Sequence, residues 1–197
     1  MNATQNLKND HITIRRVKEI AQKCSNRLYA NQYIPIEDVE IISVIIEEFV
    51  DHFHHGKEEK AYFPDTKDKN GFAEDVRKFL IEHELGRRIA IMLRRELNAL
   101  KQKRKGQSEH ETNKEDTINM EPVARFLKSY AVFIDDHTSK EDRFFDMVDK
   151  RNVITTKEDE MLLKHYEMCK NQAGGEARMQ EMVTLIEYLE ERKWMKN

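Results

Sequence analysis

Nine positions between Phe72 and Leu100 follow one another in a strict alternation of four- and three-residue steps: Phe72, Val76, Phe79, His83, Gly86, Ala90, Leu93, Leu97 and Leu100. On a helix of 3.6 residues per turn this alternation keeps all nine on one face. The segment is therefore a long helix with a single seam to bury. A seam of this length needs other helices to pack against, and the chain can supply them. Three prolines and six glycines are spread over 197 residues, and the stretches between them are rich in Glu, Lys, Leu, Ile, Met and Arg, which lose little side-chain freedom in a helix. The fold class is all-α.

The same period recurs elsewhere. A first helix is expected from about Leu7 to Ala30, with Leu7, Ile14, Val17, Ala21, Cys24 and Leu28 on its seam. A second runs from about Ile36 to Phe63, carrying Val39, Ile42, Ile45, Ile46, Phe49 and Phe53 until Pro64 stops it. The seam from Phe72 makes the third. A fourth, from about Glu121 to Lys150, carries Val123, Phe126, Tyr130, Phe133, His137, Glu141, Phe144 and Val148. These form an up-down-up-down four-helix bundle over residues 1–150, with a mobile polar connection at about 104–119. Residues 151–197 read as a C-terminal helical hairpin, opened by the capping pair Thr155-Thr156 and split at Gly174-Gly175. The hairpin is expected to pack on the outside of the bundle.

Thirty-four basic against 37 acidic residues give a formal charge of -3, so no polyanion-seeking field exists and a nucleic-acid partner is not expected. The basic run Lys101 to Lys105 reads as the solvated end of a helix. No apolar leader opens the chain and no run approaches the roughly 18 apolar residues of a membrane span. A cytoplasmic protein without a membrane partner is expected. Cys24 and Cys169 read as reduced, half-buried thiols.

Polar residues on core seams are costly unless something satisfies them. Here His11, His55, His83 and His137 fall on four different predicted helices. His55 and Glu59, and again His137 and Glu141, are four residues apart, so each pair shares a helical face and can chelate one centre. In a bundle of alternating direction all four histidines fall toward the same end, with a mismatch in level on the order of 10 Å. Imidazoles with carboxylates suit iron or manganese, and ligand type alone leaves zinc open. A ferritin-like site would need two Glu-x-x-His repeats, which the sequence lacks. His54 and Glu58 read as outer or surface groups, Tyr130 as core, and His110 and His165 as surface residues.

The ordered set His11, His55 with Glu59, His83, and His137 with Glu141 resembles the hemerythrin-like domains, and the stretches around residues 54–64 and 82–87 also look like that family. The resemblance covers about residues 7–149 and implies a non-haem centre of two irons bridged by the two carboxylates. On the last helix Glu141 lies about 40° from His137 around the axis and Asp142 about 140°. Regular geometry favours Glu141, and Asp142 stays as the alternate ligand because classical members use an aspartate at the longer spacing. One departure stands out. Oxygen carriers of the family place a histidine four residues after the third-helix ligand, where this chain has Arg87. His52 and Glu48 are candidates for the vacated place, and Arg87 for a carboxylate partner. A centre with four histidines would favour reaction over reversible carriage. The resemblance thus implies a protein that binds or turns over oxygen, peroxide or nitric oxide, or else a non-enzymatic sensor or store of iron or oxygen whose hairpin a protein partner could read.

Overall fold

The computed structural model describes residues 1–106 and 119–196. Its elements are α1 (Ala3–Tyr29), α2 (Ile36–Ile45), α3 (Phe63–Thr66), α4 (Ala73–Gly106), α5 (Glu121–Lys150), α6 (Thr156–Gln172), α7 (Gly175–Glu190) and the short α8 (Lys193–Lys196). Between α2 and α3 the chain stays helical but widens into π-helix over Ile46–His55 and again over Glu58–Tyr62. Residues 36–66 therefore form one continuous rod. Pro64 does not stop it: the proline sits in the first turn of α3, where a missing N–H is tolerated. Helix α1 begins earlier than its seam, because the Asn2 side chain accepts a hydrogen bond from the Gln5 N–H at 2.7 Å and caps it. Thr155 caps α6 with Glu158 in a reciprocal capping box.

The rod, α1, α5 and α4 pack in a closed ring, α1 against α5, α5 against α4, α4 against the rod and the rod against α1. This is the all-α bundle that the four seams imply. Helix α4 continues through residues 104–106. The remainder of the expected polar connection, with His110, lies outside the described residues.

The apolar interior comes in two parts. The larger joins Ile14 to Leu28 of α1, Val39 to Phe53 of the rod, Leu93 to Leu100 of α4 and Val123 to Ile134 of α5. The smaller is largely aromatic and includes Leu7, Tyr62, Phe63, Phe72, Phe79, Phe144 and Phe145. On every helix of the ring the histidines fall between the two. The polar layer therefore has apolar packing on both sides, and does not sit at the end of the bundle as the level argument alone implied.

The C-terminal helices fasten to the rod. Arg192 Nε and Trp194 Nε1 both donate to Asp38 Oδ2, at 2.8 and 2.7 Å. Arg178 makes two hydrogen bonds of 2.6 Å to Glu48, and Arg16 of α1 holds Glu190 through two more. Leu162 and Tyr166 of α6 join the aromatic core, while Met182, Ile186 and Leu189 of α7 join the larger one. Cys24 and Cys169 are free thiols, fully rather than half buried. Among the described residues no helix is long and apolar enough to cross a membrane.

Candidate metal centre

Along the rod Ile46, Val50, His54, Glu58, Tyr62 and Thr66 recur at every fourth residue and are all 1% exposed or less. In an α-helix each step of four drifts by about 40°, so five steps would carry such a row to the far side. The i→i+5 bonding of π-helix widens the turn and offsets this drift. The two π-helical segments therefore hold the row on one face, and His54 and Glu58 point into the bundle. His55 enters beside them, its ring stacked on that of His83 at 3.9 Å between centroids.

Two groups of potential ligand atoms result, each with all its atoms within 4.8 Å of one another: His55, His83 and His137 in one, and His11, His54, Glu58 and Glu141 in the other. All seven residues are buried. The two glutamates face both groups. Glu58 Oε1 lies 3.4 Å from His54 Nε2 while its Oε2 lies 3.4 Å from His83 Nε2. Glu141 Oε2 lies 3.4 Å from His11 Nε2 and 3.2 Å from His137 Nε2, and its Oε1 3.3 Å from His83 Nε2.

Each histidine turns its other nitrogen outward to a carboxylate. The Nδ1 contacts are Asp142 for His11 at 2.8 Å, Asp10 for His54 at 3.0 Å, Asp51 for His55 at 3.5 Å, Glu59 for His83 at 2.7 Å and Glu82 for His137 at 2.8 Å. A carboxylate there accepts the Nδ1 proton, fixes the ring and leaves Nε2 as a bare lone pair aimed inward. Every one of these carboxylates is in turn held by a cation: Asp142 by Arg15, Asp10 by Lys57, Asp51 and Glu59 by Arg87, and Glu82 by Lys140.

This arrangement leaves inward acceptors without donors. His11 Nε2 and His54 Nε2 meet at 3.0 Å, a contact that one shared proton satisfies. His55 Nε2, His137 Nε2, both oxygens of Glu58 and Glu141 Oε2 have no hydrogen-bond partner. Buried acceptors left unpaired destabilise a fold by about 1–3 kcal/mol each, so so many at one level call for a cation. Imidazole and carboxylate donors are a set that first-row divalent metals accept. The residues present thus fit a metal.

The electrostatics agree. Burial lowers the pKa of His54, but Glu58 and Asp10 outweigh it and push it up to about 9. A proton on His54 then occupies the place among these acceptors that a metal cation would take. Burial pulls His55 down to about 4 despite Asp51, and burial together with the neighbouring His55 holds His83 well below the usual range. Glu58 is drawn down to about 2, burial being outweighed by the histidines around it, whereas burial and the Glu58 charge raise Glu141 well above the carboxylate range.

Of the residues singled out in the sequence, His11, His55, His83, His137 and Glu141 are brought together. Glu59 and Asp142 are not: they stand outside the groups, about a quarter exposed, as the outer partners of His83 and His11. His54 and Glu58, read from sequence as outer or surface groups, are inside. Glu48 is committed to Arg178 and His52 is exposed, so neither fills the place opposite Arg87. That place is supplied from the rod, where His54 and His55 both turn inward. Five histidines converge, not four, and the case against reversible carriage drawn from a missing nitrogen falls with the count. Arg87 does hold carboxylates, bridging Asp51 and Glu59 at 2.8 and 2.9 Å. Tyr130 is core, as its seam position implies.

The family model of the hemerythrin HHE cation-binding domain matches residues 2–148, taking in every inward group and ending two residues before the end of α5. Comparison with curated proteins and with solved structures gave no match. The match covers well over half of the chain and coincides with the ring of helices that carries the histidine layer, and the chain belongs to the hemerythrin HHE cation-binding domain family.

Proposed function

We propose that the chain holds two iron ions, one by His55, His83 and His137 and the other by His11 and His54, with Glu58 and Glu141 shared between them, and that it binds or reacts with oxygen, peroxide or nitric oxide. The observation that carries the reading is the set of buried inward acceptors without a hydrogen-bond partner: His55 Nε2, His137 Nε2, both oxygens of Glu58 and Glu141 Oε2. Glu58 and Glu141 support a shared role because each faces both histidine groups.

Iron so held would supply reversible one-electron redox chemistry toward a small oxidant or diatomic ligand. The chain's own part is to hold and to exclude. Outer carboxylates lock the imidazoles in one tautomer. Phe63, Phe79 and Phe133 lie against the histidine rings at 5.7, 6.2 and 5.3 Å between centroids, making the surroundings apolar. With every inward residue at most 3% exposed, the ligand must be small.

Metal analysis of purified protein is expected to give two irons per chain with charge-transfer absorption, and protein that stays metal-free after growth in iron-replete medium would refute the reading. Reducing the protein, adding oxygen, peroxide or nitric oxide separately and following absorption through repeated cycles then separates binding from turnover. Reversal over many cycles indicates a carrier or sensor, and consumption of the added molecule indicates an enzyme.

A further inference from the structure

Lys57 is a fully buried cation outside the ligand groups. Its side chain is 2% exposed, whereas Arg15, Arg87 and Lys140, the other cations on the outer carboxylates, have side chains 40, 30 and 39% exposed. Its ammonium pairs with Asp10, donates to Asn6 Oδ1 at 2.7 Å, and lies 4.3 Å from the centre of the Phe53 ring and 5.2 Å from that of Tyr166. Asp10 Oδ2 is the same oxygen that His54 Nδ1 contacts at 3.0 Å.

A lysine is buried only where something compensates the lost hydration. Here the compensation comes from α1, through Asn6 and Asp10, and from aromatic faces, one of them on α6. That helix lies beyond residue 148, where the family match ends. It is held to the rod next to Lys57: Cys169 donates to the Gly56 carbonyl at 3.5 Å and Lys60 reaches Gln172 at 3.0 Å. Tyr166 itself is 3% exposed with its hydroxyl unpaired.

The geometry points to Lys57 as a positioning residue for the His11–His54 half of the centre, acting through Asp10, with α6 as the element that keeps it buried and thereby sets how tightly that half holds its ion. The inference rests on the two-ion reading above. Fixed by Lys57, Asp10 presents one oxygen to His54 Nδ1 and holds the ring with Nε2 inward. Without the ammonium, nothing fixes the Asp10 oxygen in place; it is free to turn away, and His54 loses its anchor. Cover by Tyr166 matters because an ammonium reached by water is screened and holds Asp10 less firmly.

The test is titration of metal-free protein with cobalt(II) alone, following visible absorption and counting bound metal after dialysis, with helical circular dichroism confirming the fold. Wild type is expected to take two ions. Lys57→Met should bind the second ion at least about tenfold more weakly, the scale of losing an outer partner of a metal ligand, with the first ion unchanged. Lys57→Arg should restore it. Tyr166→Ala should weaken the second ion in the same direction by less, and Arg77→Met, which breaks an exposed pair with Glu74 away from the histidine layer, should not reproduce the effect. Wild-type affinity for both ions in folded Lys57→Met overturns the proposal and leaves the two-ion reading standing. If that variant does not fold, Tyr166→Ala decides: weakened binding of the second ion supports the proposal and unchanged binding overturns it. A wild-type chain that takes up fewer than two ions overturns the two-ion reading itself, and this proposal with it.

Discussion

The two halves of the histidine layer are built from the same parts in different surroundings. Around His55, His83 and His137 the outer carboxylates Asp51, Glu59 and Glu82 are about a quarter exposed and are held by Arg87 and Lys140 at the bundle surface. Around His11 and His54 one carboxylate, Asp142, is held by the surface residue Arg15, but the other, Asp10, is held by the buried Lys57. The first half is thus steadied by groups that water screens and the second by one that it does not. Equal lists of contacts do not mean equal energies, because the same ion pair is worth ~1 kcal/mol or less when exposed and costs several times that to break when buried.

The largest effect should come from a residue that both halves share. Glu58→Ala removes the carboxylate that faces His54 on one side and His83 on the other, and protein carrying it should lose essentially all bound metal on desalting. Glu59→Ala, one residue along, removes only an outer partner of His83, and metal should stay bound with affinity lowered on the order of tenfold. Metal content by elemental analysis distinguishes the two. Equal loss from both variants would erase the distinction between inward and outward glutamates on which the comparison rests.

That pair of adjacent glutamates also shows what the sequence makes legible and what it hides. The bundle could be read because seams such as Phe72 to Leu100 keep one period throughout. On α5, which is regular, the 40° against 140° argument separates Glu141 from Asp142 as the structure does, with Glu141 buried and Asp142 at the rim. The same reasoning misplaced the rod, because His54 with Glu58 and His55 with Glu59 satisfy the four-residue spacing equally, and π-helix changes which of the two faces inward. A signal was available in the row Ile46, Val50, His54, Glu58, Tyr62 and Thr66, whose repeat of four fits a turn wider than 3.6 residues. The outer cations carry no local pattern at all: Lys57 meets Asp10 and Arg87 meets Asp51 only after the helices have packed.

Arg87→Met is the next largest test and is specific to the surface-held half. It frees both Asp51 and Glu59, so His55 and His83 lose the group that steadies their outer carboxylates. Affinity of the three-histidine group should fall by roughly tenfold. Because the guanidinium is about a third exposed, the metal-free protein should lose no more than ~1 kcal/mol of stability. A larger loss of stability than of metal affinity, measured by denaturant unfolding alongside metal titration, would show that Arg87 serves the fold and not the centre.

Two glycines extend the comparison to packing. Gly86 sits beside the three-histidine group, where an added Cβ would meet the Phe133 ring at 2.6 Å, and that ring stacks on His137. Gly86→Ala should therefore destabilise by about 1–3 kcal/mol, as overpacking does, and show a lower Tm. Gly56 lies in the rod between His55 and Lys57, with ordinary helical angles of φ -58° and ψ -38° and no atom within 4 Å of an added Cβ. Nothing there opposes a methyl group, and alanine restricts the unfolded chain more than glycine does, so Gly56→Ala should stabilise by roughly 0.5–1 kcal/mol. Thermal unfolding of the metal-free protein checks it. A fall in Tm would mean that the winding from His55 to Glu58 depends on this glycine, and that the turn which swings His54 and Glu58 inward is held by the backbone and not by the ligands' surroundings.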